Sequence, residues 1–162
     1  MSNEVLIYIY KAFFYILFGC TMEVVFSVIG IEKLVGKTIT RRVPTNYLEG
    51  FISLYMFPIY AIGLPFFFEP VLSLISSWHI FFRYILWCFS ITAAEALLGF
   101  VCHKLLKFYP WDYYKLSPYK VFYEGYTLWN LIPFWGIAGL ALEIYSSYLN
   151  YSSKYFLLFL EK

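Results

Sequence analysis

Charge is what this chain has least of. Of its 162 residues only 14% are Asp, Glu, Lys or Arg, where a soluble domain carries about a quarter. The net charge is +2, with the basic residues scattered rather than in a block, which excludes the electrostatic footprint of a nucleic-acid binder. Asp112 is the one aspartate, so no pair of aspartates exists to share a proton as a catalytic dyad. Three cysteines, Cys20, Cys88 and Cys102, stand far apart in apolar runs. That pattern is one of small buried hydrophobes rather than a disulfide framework or metal site. His79 and His103 have no ligand at metal spacing, so no metal and no cofactor is expected. The stretch from Gly30 to Lys37-Thr38 has the look of a phosphate-binding loop, but holds one residue too many between its glycines.

What the chain has in abundance is apolar and aromatic surface. It is 62% hydrophobic and 25% aromatic, with 17 Tyr and 18 Phe, and its mean hydropathy is +0.68. So many rings are hard to bury in one small core, and they suit a surface facing lipid with its polar ring tips at the headgroups. The expectation is an all-α membrane protein, its partners being membrane lipids and not nucleic acid.

A helix crossing a bilayer core needs roughly 20 mostly apolar residues. Four stretches qualify, over about 5–30, 51–68, 80–102 and 126–149. They make a single integral membrane domain over 1–162, with 151–161 either extending the fourth helix or forming an interfacial tail helix. The first run lacks the basic start and small-residue cleavage site of a signal peptide and is expected to stay. The connections after the first and third runs hold eight of the twelve Lys and Arg, including Lys33, Lys37, Arg41, Arg42, Lys115 and Lys120. That bias predicts those connections in the cytoplasm and both termini outside.

A weak internal repeat runs through these segments. Glu49-Gly50-Phe51 precedes Pro58 and Tyr60 at the spacing at which Glu124-Gly125-Tyr126 precedes Pro133 and Trp135. Two copies of a two-helix unit, related by an axis along the membrane normal, would give this pattern. Within the runs lie Glu23, Glu95 and Glu143, and acids inside a membrane are expensive and face protein or water. By rise per residue, Glu23 and Glu95 fall at the depth of Pro58 and Pro133. As helix breakers, those prolines would free the carbonyls of Leu54 and Trp129. The expected polar cluster is therefore Glu23, Glu95 and Glu143 with Asn130 and Tyr60. Its leading role is helix packing by hydrogen bonds; an ion or substrate path is the alternative. The aromatic connection Trp111-Asp112-Tyr113 is read as an interfacial bracket, with Asp112 capping the chain or pairing with Lys115.

On these residues the chain resembles the transmembrane protein 229 family and its bacterial relatives, the ABC-transporter type IV (CmpB-like) family. The resemblance runs from about Tyr15 to Tyr145. It rests on Gly19-x-x-x-Glu23-Val24, Pro58-Ile59-Tyr60, Glu95, Pro110-Trp111-Asp112-Tyr113, Gly125-Tyr126-Thr127-Leu128, Pro133-Phe134-Trp135-Gly136 and Glu143. It implies a four-helix integral membrane protein. Where bacterial members commonly carry Arg-Gly before the second helix, this chain has Glu49-Gly50. The expected function is a non-enzymatic, multi-pass membrane protein whose intramembrane acids organise packing. The alternatives are a lipid-modifying enzyme using Asp112, and an accessory subunit of a transporter complex, or a homo-oligomer, joined through a small-residue seam at Gly136-x-x-Gly139.

Overall fold

The computed structural model describes residues 2–38, 50 and 52–160. Glu49, Phe51, Arg41, Arg42 and residues 161–162, which the sequence reading used, lie outside the described residues. The described chain is helical, with one isolated antiparallel bridge, Lys120 to Leu128. Four long helices follow one another: α1 (Asn3–Val35), α2 (Met56–Ile75), α3 (Ile80–Leu106) and α4 (Ile132–Leu160).

Three of the four, α1, α2 and α3, are long and apolar enough to cross a membrane. Only 28%, 11% and 17% of their respective apolar windows is buried, so most of that surface faces outward. Leu54, Phe67, Leu74 and Leu105 are each at least 70% exposed, a surface unsuited to water. The fourth expected span is a helix, but α4 is not among those three. Its second half is rich in Tyr, Ser and Asn, which lowers its hydropathy. The 151–160 stretch runs on as the last turns of α4.

Helix starts and stops follow local chemistry. Gly36 ends α1 with a left-handed φ of 71° and returns its N–H to Glu32 O, the common glycine stop. His79 caps α3, Nδ1 accepting from Phe81 N at 3.3 Å. The two prolines read as helix breakers stand instead in first turns: Pro58 two residues into α2, Pro133 one residue into α4. A missing N–H costs nothing there, and the fixed φ suits the helix. The carbonyls they were expected to free are occupied. Leu54 O accepts from Phe57 N at 3.2 Å, and Trp129 O accepts from the Ile132 N–H. The proline that does interrupt a ladder is Pro65, inside a π-wound stretch over Ile59–Phe68. It cannot donate to residue 61 and crowds that carbonyl, and the wider winding takes up the break.

The chain divides into two compact units: 1–22, 53–78 and 141–162, and 23–52 with 79–140. In the first, Tyr15, Ile75 and Leu149 are buried among α1, α2 and the end of α4. The Tyr60 ring occupies the space over Gly19, where any side chain would overlap it. In the second, Trp87, Cys88, Trp111, Leu128 and Leu131 form the core with Ile31 and Val35 of α1. Gly136 and Gly139 of α4 are buried against α3. A methyl at Gly136 would overlap Tyr84 and Cys88 Sγ, and one at Gly139 would overlap Trp87. The small-residue seam expected as an external docking face is therefore filled internally by α3, the close approach that such seams permit.

Gly139→Leu is expected to lower stability by about 1–3 kcal/mol or more through overpacking against Trp87. Gly63, where an added Cβ would meet nothing within 4 Å, should tolerate alanine. Thermal unfolding of both variants in detergent checks the contrast; equal melting would contradict the seam.

Candidate functional site

Each unit carries a carboxylate ringed by donors. In the second unit it is Glu95, on α3. Its Oε2 accepts from Thr127 Oγ1 at 2.5 Å and from Trp135 Nε1 at 3.1 Å. Its Oε1 takes a longer contact from the Tyr114 hydroxyl at 3.4 Å. These donors come from three places: the turn Asp112–Leu116 that follows α3, the connection before α4, and the first turn of α4. One side chain thus ties α3 to the connection that follows it and to the first turn of α4. An intramolecular hydrogen bond contributes about 0.5–1.5 kcal/mol net.

The surrounding connection is built to deliver those donors. A turn closes at Gly125, where Gly125 N donates to Phe122 O at 2.8 Å with φ at 69°. A Cβ there would come 2.7 Å from the Tyr114 carbonyl, so glycine is required twice over. Val121 N donates to Thr127 O at 3.0 Å and Trp129 N to Tyr119 O at 3.0 Å, which fixes Thr127 beneath Glu95. Trp111 is buried against Gly99 of α3 and its indole N–H donates to Tyr126 O at 2.8 Å. Tyr109 donates to the Glu124 carbonyl. Trp111 is an interior clamp on this connection and not a headgroup anchor. Asp112 is exposed at the start of its short turn. Lys115, offered as its partner, lies 5.1 Å over the Tyr109 ring instead.

Burial pushes the phenols of this connection up from their ordinary pKa. Tyr114 is raised by burial first and by the Glu95 charge second. Tyr113 is raised by burial, then by Glu95 and Glu23, which puts both acids within electrostatic reach of one ring. For Tyr109 burial leads, followed by the charges of Glu124 and Asp112. All three phenols therefore keep their protons, and two of them donate: Tyr109 to the Glu124 carbonyl and Tyr114 to Glu95. A raised native pKa stabilises the fold below the ordinary tyrosine range, and that contribution is lost as pH climbs through it.

The first unit holds a network that the sequence reading did not anticipate. Lys11 of α1 pairs with Glu69 of α2, and both are largely buried, with side chains 10% and 16% exposed. Lys11 Nζ also donates to Asn150 Oδ1 of α4 at 2.8 Å. The Tyr15 hydroxyl donates to the other Glu69 oxygen at 2.6 Å. The sequence pattern by itself gives Lys11 and Glu69 no role. Two opposite charges embedded in separate apolar runs are the signal that would have found them, since neither is tolerable alone in such surroundings.

The expected cluster is thus distributed over both units. Glu23, Glu95, Asn130 and Pro133 belong to the second, Glu143, Tyr60 and Pro58 to the first. Asn130 does not serve Glu95: its Nδ2 donates to Leu34 O at 2.6 Å, at the end of α1. Pro133 O accepts from the Tyr84 hydroxyl at 3.3 Å. Glu143 is buried, 6% exposed, and its backbone carbonyl accepts from Ser147. Among the described residues no three of His, Cys, Asp and Glu are grouped to hold a metal ion. No family model, no curated protein and no solved structure matches the chain.

Breaking one side of the buried pair should cost far more than removing both. Lys11→Met or Glu69→Leu alone is expected to destabilise by about 3–5 kcal/mol, and the double variant by less than either. A double-mutant cycle on thermal stability in detergent reads this; simple additivity would show the two charges to be independent.

Proposed function

We propose that this chain is a multi-pass, non-enzymatic integral membrane protein in which buried carboxylates fix how the helices pack, with α4 as a fourth span. The observation that carries the packing role is Glu95. It accepts from three donors that belong to three successive segments, which is what a cross-brace requires. For the fourth span, the 29 residues of α4 reach about 43 Å, against a hydrocarbon core of roughly 30 Å. The resemblance to the transmembrane protein 229 family supports the same four-helix reading. The common spacing of Glu-Gly, proline and aromatic before and within α2 and α4 supports a 2+2 duplication of helix pairs. A lipid-modifying enzyme is disfavoured because Trp111 is buried against Gly99 while Asp112 faces outward beside it. An ion or substrate path would need Glu95 to exchange its donors for a passing ligand, and three donors on one carboxylate favour the static role.

Glu95→Gln and Glu95→Leu separate these readings. Glutamine still offers an oxygen to Trp135 and Thr127, while the two hydroxyls can turn to suit its amide. It is expected to keep most of the stability. Leucine leaves the Trp135 and Thr127 donors without an acceptor and should lower stability by about 1–3 kcal/mol for each donor left unsatisfied. Monodispersity and melting in detergent give the answer. A leucine variant as stable as the parent would defeat the packing role.

The topology has its own test. In a background with the three cysteines replaced, single cysteines at Thr38 and Leu116 should be shielded from an impermeant maleimide in intact cells. Cysteines at Ser2 and Ser77 should react. Opposite behaviour of Thr38 and Leu116 would rule out α3 and α2 as the only spans between them.

A further inference from the structure

A groove of about 520 Å³ opens in the first unit, lined by Ile7 of α1 and by Ser147, Asn150, Tyr151, Ser153 and Lys154 of α4. Its polar groups are not equivalent. Ser147 Oγ donates to Glu143 O at 2.8 Å and Ser153 Oγ to Asn150 O at 3.2 Å, so both serines have committed their protons. Asn150 Oδ1 is held by Lys11 Nζ at 2.8 Å. That bond fixes the amide orientation and leaves the NH₂ group as the donor available to the groove. Lys154 is exposed, and among the described residues it makes no ion pair or hydrogen bond. The Tyr151 hydroxyl shares a hydrogen bond with Tyr155 at 2.7 Å, and its own proton is free for the groove when Tyr155 is the donor. What the groove has to offer is one ammonium, one oriented amide and one phenol, all donors.

Depth narrows the ligand. Asn150 stands about 27 Å along α4 from Ile132, close to the full thickness of a hydrocarbon core. Ile7 lies about 6 Å from the opposite-running start of α1 at Asn3. Both measures put the groove at the level of lipid headgroups, with an apolar wall on its α1 side. We propose that this groove binds the phosphodiester of a phospholipid headgroup, with Lys154 supplying the charge and Asn150 the directed hydrogen bond. The inference rests on the proposed reading of α4 as a span, and stands apart from the packing role of Glu95, which lies in the other unit. It also gives Lys11 a second effect: by holding the Asn150 oxygen, it decides which face of the amide the lipid meets.

The test is lipid binding to the full chain in an uncharged detergent, followed by native mass spectrometry. Phosphatidylglycerol, phosphatidylcholine and a galactosyl diacylglycerol of the same acyl chains are titrated separately, and inorganic phosphate is added as a competitor. Both phospholipids should bind and the galactolipid should not. Lys154→Gln should weaken phospholipid binding roughly fivefold to tenfold, and Lys154→Arg should restore it. Asn150→Asp, which keeps an oxygen for Lys11 but removes the donors, should weaken it likewise while the melting temperature is retained. Lys104→Gln, at a lysine that lies over Phe100 in the other unit, should leave binding unchanged. Equal binding of the galactolipid, or unaltered binding by Lys154→Gln, overturns the proposal. Displacement by inorganic phosphate at lipid-like concentrations overturns the lipid assignment in favour of a free-anion site.

Discussion

A carboxylate in apolar surroundings must find donors or a counter-charge, and the arrangement of this chain follows from meeting that demand twice. Glu95 is met by neutral donors, Thr127, Trp135 and Tyr114. Glu69 is met by a cation and a phenol, Lys11 and Tyr15. The two solutions differ in what they ask of the chain. Neutral donors need exact backbone placement, hence the Gly125 turn, the Lys120–Leu128 bridge and the Trp111 clamp. A counter-ion needs only a facing helix, and among the described residues of unit one the Lys11–Glu69 pair joins α1 directly to α2.

Apolar packing does the remaining work with small residues. Gly19 admits the Tyr60 ring, Gly99 admits Trp111, and Gly136 and Gly139 admit α3. In each case the glycine sits opposite an aromatic ring, which suits a chain so rich in Tyr, Phe and Trp. Helices that present apolar side chains outward gain little from burying more of them in lipid, so close approach and hydrogen bonding carry the specificity.

The helical class and the approximate positions of all four helices were legible in the sequence, because runs of apolar residues register directly as helices of a given length. Glu95 was legible too, as an acid within such a run. Its partners were not. Thr127 and Trp135 stood out only as positions of the resemblance and the repeat, and only the turn at Gly125 shows how Thr127 comes beneath Glu95. Pro58 and Pro133 were misjudged because the helix starts were set too early: moved to Met56 and Ile132, the same prolines become first-turn residues. The Lys11–Glu69 pair escaped because a sequence shows charges singly, and 58 residues separate these two.

That separation has a consequence for biogenesis. The chain is made in order, so Lys11 emerges 58 residues before the acid that neutralises it and 139 before Asn150. At roughly 5–20 residues per second the first interval lasts about 3–12 s, during which the Lys11 charge, about 12 Å along α1 from Asn3, stands in an apolar run without its counter-ion. The first helix is therefore committed only provisionally until the second arrives. Completion of the Lys11 site waits for the last helix, so the opening segment is among the last to be locked.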